Sequence, residues 1–200
     1  MLDHFRGRHK YNPEHGARGA ALLNHFLRRW FASPVRMLND IGAGSVEGEV
    51  WADIGCGNGF FTIPIASRVA KVHAVDISPA MLGMLNRTLQ SKRIDNVIPS
   101  LSEENRIPIG KAEVDVAFLA YVVHELDTPE QFFRSLAPIL KPTGRVIIIE
   151  FSNKLSFGPP MNERISPEQA DRYLGEAGLL RRRTWTWSRS AIGLEYSFLP

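Results

Sequence analysis

The stretch "WADIGCGNGF", residues 51–60, decides how the rest of the chain is read. Gly55, Gly57 and Gly59 stand at alternate positions just after an acid, Asp53. Glycine at that density costs conformational freedom, unless the backbone must turn where other residues cannot or something must come close to it. The apolar run "EVWADI" that leads into it reads as a strand, so the glycines occupy a strand-to-helix loop.

Outward from that loop, "KVHAVDI", "VDVAFLAYV" and "GRVIIIEF" are apolar on nearly every residue, as strands buried on both faces of a parallel sheet should be. Helices with legible starts lie between them. In "SPAMLGMLNRTLQ", Ser78 caps and Pro79 opens a helix with Met81, Leu82, Leu85 and Leu89 on one face. "TPEQFFRSLAPIL" predicts the same device, with Thr128 and Gln131 as a capping box and Pro138 kinking or ending the helix. "SPEQADRYLGEAG" repeats it from Ser166 and Gln169 to a terminating Gly178. Alternating strands and helices imply an open α/β sheet with right-handed crossovers. "LLRRRTWTWS" and "GLEYSFLP" leave no room for a helix between them, so they predict an antiparallel hairpin at one edge, joined by a segment containing Ala191 and Gly193.

Residues 1–49 read differently. "GARGAALLNHFLRRWF" places Leu22, Leu23, Phe26, Leu27 and Trp30 at amphipathic spacing, and "SPVRMLNDIG" predicts a second short helix ending near Gly42. The expectation is one domain over 1–200, with a helical cap or lid over 1–49 and a catalytic core over 50–200. A helical extension of this kind can close over a site or simply cover a sheet face.

Composition narrows the setting. Apolar residues at 44% and charged residues at 22% are ordinary for a globular chain, and 200 residues suffice for a single core. No apolar run is long enough to span a bilayer, and "MLDHFRGRHK" lacks the apolar core of a signal peptide. The single cysteine, Cys56, excludes an internal disulfide and any multi-cysteine metal site, which fits a reducing cytoplasm. The net charge of +3 concentrates in "RRR", Arg181–Arg183, beside "TWTWSR". Such a run can bind nucleic acid by phosphate contact and stacking; the reading preferred here is a solvated strand face and end.

In an open α/β sheet the ligand crevice lies beyond the carboxyl ends of the strands. Asp53–Gly59 sits there. Its spacing, D-x-G-x-G-x-G, differs from the G-x-G-x-x-G of dinucleotide sites, and "GNGFFT" lacks the Gly-Lys-Ser or Gly-Lys-Thr end of a phosphate loop. No basic residue occurs from Trp51 to Ser67, so a nucleoside ligand without phosphate suits the loop better. Asp76, at the end of the next strand, is placed to accept from both ribose hydroxyls. Asp53 can bind a cationic amine.

"VWADIGCGNGFFTIPIA" followed by "VHAVDIS" resembles the first two motifs of the class I S-adenosylmethionine-dependent methyltransferases. "SLSEENRIPI" resembles the third motif, "VDVAFLAYVVHEL" the fourth and "LKPTGRVIIIEF" the approach to strand five. The resemblance spans roughly residues 50–200. It is nearest to the small-molecule branch, which includes ubiquinone and menaquinone biosynthesis C-methyltransferases and arsenite-methyltransferase-like proteins; "FGPPMNERISPEQADRYLGEAGL" and, more weakly, "HKYNPEH" also look like that branch.

The resemblance implies a Rossmann-like sheet of order 3-2-1-4-5-7-6, with helices on both faces and the last strand antiparallel. It implies S-adenosylmethionine as cofactor and a small-molecule methyl acceptor as partner, in a monomer or homodimer. Gly55 and Gly57 would admit the methionine moiety, Asp53 would sit near its amino group and Asp76 would hold the ribose. Ser102 and Glu103 align where the family more often has Gly-Asp at the adenine; neighbouring Glu104 could take that part instead. Cys56, Gly59, Ile77 and Ala120 complete the candidate cofactor site. Tyr11, Tyr121, His124 and Phe157 are candidate walls of the acceptor pocket.

Each site residue also has a purely structural reading. The glycines can make a tight turn, Asp53 can cap a helix and Asp76 can end a strand. Cys56 is read as a small loop residue, with no base beside it to make a thiolate. His124 can accept a proton from a nucleophile near neutral pH, or it can hydrogen-bond neighbouring backbone while Glu125 is solvated. The other histidines show no metal-ligand spacing, and no metal site is expected. A lone cysteine argues against arsenic chemistry. The rival readings are an RNA or protein methyltransferase and a nicotinamide-dependent oxidoreductase.

Overall fold

The computed structural model describes residues 34–103, 105–154, 159–188 and 190–199. The long amphipathic helix expected within 16–31, Tyr11, Glu104 and Phe157 lie outside the described residues.

Seven strands form one sheet: β1 (Val50–Ile54), β2 (Lys71–Asp76), β3 (Val97–Leu101), β4 (Val114–Ala120), β5 (Leu140–Phe151), β6 (Leu179–Ser188) and β7 (Ala191–Phe198). Their order is β3-β2-β1-β4-β5-β7-β6. The pairings from β3 through β5 are parallel; β7 runs antiparallel to both β5 and β6.

The unbroken apolar runs follow from the pleat, which sends successive side chains to opposite faces. Trp51, Val72, Ala74, Val116, Phe118, Ile147 and Ile149 enter one core, together with Met37, Leu38, Ile65, Leu82, Leu85 and Leu89. These come from α1 (Pro34–Asp40), α2 (Thr62–Ala66) and α3 (Pro79–Lys92). Ala52, Ile54, Val75, Ala117, Leu119, Val146 and Ile148 enter the other, with side chains of α4 (Pro129–Leu136) and α5 (Pro167–Gly175). Both faces are therefore covered, as a parallel sheet requires.

Two of the three expected caps form. Ser78 Oγ accepts from the Met81 N–H, and α5 has a full capping box between Ser166 and Gln169. At α4 the expected box is absent: Thr128 makes no cap bond, and its hydroxyl instead accepts from Asn105 Nδ2 at 2.9 Å. Thr128 has φ of −131° and ψ of 70°, away from the extended backbone at which Ser78 and Ser166 turn their hydroxyls to their helices. α4 stops at Leu136, and Pro138 lies in the single 3₁₀ turn Ala137–Ile139 that follows.

The hairpin forms at the sheet edge, but its turn differs from expectation. Ala191 and Gly193 belong to β7 itself, opposite Phe151 and Ile149. Gly193 is small because the Trp185 ring lies directly across it, where a Cβ would overlap the indole. α1 ends before Gly42, which takes the left-handed φ of +67°. Met37 and Leu38 are fully buried, so α1 covers a sheet face.

Candidate functional site

The carboxyl ends of β1, β2 and β4 bring most of the candidate residues together. After β1, Gly55, Gly57 and Gly59 have φ of +69°, +55° and +92°. These left-handed conformations explain the choice of glycine. Space adds a second reason at Gly55, where a Cβ would collide with Val122 of the segment after β4. A Cβ on Gly57 would meet nothing within 4 Å, so its backbone is open to close approach.

Asp76 organises this loop. Its Oδ2 accepts the Gly57 N–H at 2.7 Å and its Oδ1 accepts the Ser78 N–H at 2.8 Å. Its main-chain carbonyl accepts from the Ser102 N–H at 3.0 Å, which ties the end of β3 to the same point. Burial raises the Asp76 carboxyl above the usual carboxylate range, against the pull of the N–H groups of Ser78, Gly57 and Ile77. Oδ2 thus holds the glycine loop and Oδ1 the start of α3, and the carboxylate's lone pairs are not exhausted by these bonds.

Asp53 is buried at the end of β1, and its Oδ2 accepts from the Thr62 hydroxyl of α2 at 2.6 Å. Cys56 is buried between these acids. Burial first, then the charges of Asp53 and Asp76, push its thiol far up, so it is no nucleophile at neutral pH.

Around this centre, Ala120 ends β4 and is buried, while Ile77 is exposed. Leu101 is the register partner of Asp76 and is 56% exposed, an apolar surface that no motif in the sequence singles out. Ser102 is half-buried; Glu103 is exposed and forms an isolated bridge with Arg106.

Beyond β4 the chain turns sharply. Tyr121 has φ of +61°, a conformation that costs a non-glycine residue about 1 kcal/mol. Its N–H is held by the Ile149 carbonyl at 2.8 Å, and its ring lies 4.7 Å from that of Phe151. His124 follows in the 3₁₀ turn Val123–Glu125. Its Nδ1 lies 2.9 Å from Oε2 and 3.1 Å from Oε1 of Glu150, a side chain only 1% exposed near the end of β5. The Glu150 carboxylate also accepts the backbone N–H groups of His124 and Phe151, at 3.3 and 3.2 Å. The structural reading of His124 expects neighbouring backbone as the ring's partner; the partner is the Glu150 side chain, twenty-six positions away. Its signal in the sequence was an acid inside an apolar run, "VIIIEF".

The fit to a sulfonium nucleoside rests on the donor set. Asp76 has acceptor capacity for a diol, the Gly57 backbone is open, Ile77 and Leu101 offer apolar surface, and the carboxylates of Asp53 and Asp76 beside a stretch with no basic residue from Trp51 to Ser67 suit a positively charged ligand. A pyrophosphate there would face repulsion. Among the described residues, no group of three or more His, Cys, Asp or Glu could hold a metal ion, and no helix is long and apolar enough to cross a membrane.

Comparison with known proteins agrees with this geometry. A family model described as "Methyltransferase domain" matches residues 52–148. A demethylmenaquinone methyltransferase of Tropheryma whipplei is 29% identical over 141 residues, covering 70% of this chain and 56% of that protein. A ubiquinone/menaquinone biosynthesis C-methyltransferase of Idiomarina loihiensis is 32% identical over 108 residues, 52% of this chain and 43% of the relative. The chain thus spans about half the length of these curated relatives. Among solved structures, a SAM-dependent methyltransferase from Aquifex aeolicus superposes with a TM-score of 0.84 at 26% identity, over 94% of this chain and all of that one. The fold alone is shared with a magnesium protoporphyrin IX methyltransferase of Synechocystis, at a TM-score of 0.63 and 20% identity over 82% and 76% of the two chains.

Proposed function

We propose, for a chain that carries a class I S-adenosylmethionine-dependent methyltransferase domain, that it transfers a methyl group to a small-molecule acceptor. The observation that carries this reading is the pair of buried carboxylates, Asp53 and Asp76, on either side of a glycine loop with no basic side chain from Trp51 to Ser67. Such a loop favours a cationic ligand over a phosphorylated one.

In this reading Asp76 binds the ribose hydroxyls, and Gly55 and Gly57 admit the methionine moiety. Asp53, held by Thr62, supplies negative charge for the amino group. Ile77 and Leu101 flank the base, with Glu103 at its amino edge and Ser102 beside it. The bound cofactor supplies an electrophilic methyl on a sulfonium. The protein's share is orientation and exclusion of water, and alignment of two reactants can lower a barrier by about 7–11 kcal/mol. The relatives' printed names point to quinone precursors as the acceptor chemistry to try first. A cytoplasmic setting belongs to the same reading, supported by the free, buried thiol of Cys56.

Calorimetry with S-adenosylmethionine, S-adenosylhomocysteine and NAD tests the cofactor. Binding of the first two and not the third is expected; NAD binding alone would overturn the reading. Transfer of labelled methyl from the cofactor into quinone precursors then tests the acceptor.

A further inference from the structure

Tyr121 and His124, from the segment after β4, meet Phe151 and Glu150 at the end of β5. Val122 lies against Gly55, so this segment is packed directly on the candidate cofactor loop. The Tyr121 and Phe151 rings form an aromatic wall, and the His124 ring meets the Phe151 edge at 5.4 Å.

The orientation of His124 is fixed. An ionised carboxylate only accepts hydrogen bonds, so Glu150 requires a proton on Nδ1. In the neutral ring the lone pair then lies on Nε2. The atom nearest to that nitrogen in an ion pair is Glu125 Oε1, at 3.9 Å, too far for a hydrogen bond. A buried carboxylate that holds one imidazole nitrogen and leaves the other free is how a histidine is poised to take a proton.

We infer that His124 is the general base of this site, held and polarised by Glu150 as a positioning residue, and that the acceptor is a phenol or enol seated against Tyr121 and Phe151. The inference rests on the methyltransferase reading above. In the step, the acceptor O–H bond breaks and its proton goes to His124 Nε2. The freed electron pair, on oxygen or on the conjugated carbon, forms the new bond to methyl. The methyl–sulfur bonding pair stays on sulfur. When carbon is the attacking atom, its own hydrogen leaves afterwards to solvent as conjugation is restored. An acceptor that reaches the site with its lone pair already free, a thioether or a phenolate ionised in solution, gives the histidine nothing to do.

The charged groups facing the ring are Glu150 from β5, Glu125 from its own turn and Glu163 from the turn Met161–Glu163; Arg164 lies over the Phe151 ring that His124 meets. Burial lowers the proton affinity of His124, but the hydrogen bond and charge of Glu150 and the charges of Glu125 and Glu163 outweigh it and leave it raised. The imidazolium formed in the step is therefore stabilised.

The test uses the full chain with S-adenosylmethionine and a probe panel: substituted phenols and 1,3-diketones spanning a range of acidities, with an aliphatic amine and a thiol as controls. Methylation of phenols or diketones is expected. Transfer only to the amine or thiol, or to none of the panel, overturns the inference; retained cofactor binding in calorimetry then shows that the methyltransferase reading survives. His124→Gln should lose about 10²–10⁴-fold in kcat/KM on weakly acidic phenols, and far less on nitrophenols already ionised at the assay pH. Equal losses on both would overturn the role of His124. An independent readout is the NMR titration of the His124 ring, which Glu150→Gln should move to lower pH, together with the acid limb of the rate profile. An unmoved titration in a folded variant would overturn the role of Glu150, and folding is checked by thermal melting.

Discussion

Asp76 Oδ2 accepts the Gly57 N–H at 2.7 Å, so the acid that ends β2 fixes the backbone of the loop that follows β1. One carboxylate thereby shapes the loop and presents acceptors to whatever the loop receives. Asp76→Asn keeps the volume but replaces one acceptor with a donor that faces the Gly57 or Ser78 N–H. Hydrogen bonds to charged groups contribute about 1.5–3 kcal/mol each. The expected result is a loss of S-adenosylmethionine affinity of at least about tenfold, measured by calorimetry. Unchanged affinity would remove Asp76 from the site.

Gly55 and Gly57 separate packing from approach. Gly55→Ala combines a left-handed backbone with a Cβ that overlaps Val122. It should destabilise the fold by about 2–5 kcal/mol, from strain and overpacking together. Gly57→Ala meets no neighbour and carries only the left-handed cost, about 1–2 kcal/mol. Its larger effect should fall on cofactor affinity. Urea melts and calorimetry on both variants check the contrast; equal destabilisation would contradict it.

The His124–Glu150 pair should give stability a defined pH dependence. The proton affinity of His124 is raised above its ordinary value of 6.5 in the folded protein, so the folded state holds that proton more tightly than the unfolded chain does. The stabilisation is complete below about pH 6.5 and disappears as pH rises through the folded value. Wild type minus His124→Gln, compared by melting temperature between about pH 5 and 9, should show its largest difference at the acid end. A difference that grows with pH would reverse the sign and refute the argument.

Tyr196 tests the second core. It is fully buried on β7, and its hydroxyl donates to Asp171 of α5 at 2.9 Å. Tyr196→Phe keeps the ring and removes that bond, while Asp171 retains Arg181 at 3.0 Å. A loss of about 1 kcal/mol is expected, or about 2–4 °C in melting temperature. No change would show that the bond contributes nothing net.

Much of this molecule is local in origin. Unbroken apolar runs mark strands covered on both faces, Ser-Pro and Gly signals mark helix ends, and a hairpin is legible where no helix fits between two strands. Glycines at 55, 57 and 59 after Asp53 announce a backbone that must turn left-handed, and the structure gives all three positive φ. These are properties of a chain reading its own neighbours, so the sequence determined them: the strands, most of the helices, the loop and the acids that flank it. Tertiary structure decided what depends on distance along the chain. Asn105 reached the Thr128 hydroxyl from across the fold, Gly193 had to be small because the Trp185 ring crosses it, and the His124 ring found Glu150 rather than nearby backbone. A hydrogen bond or a steric overlap acts over a few ångströms of space, whatever the separation in sequence, and only the folded sheet brings such partners within that reach.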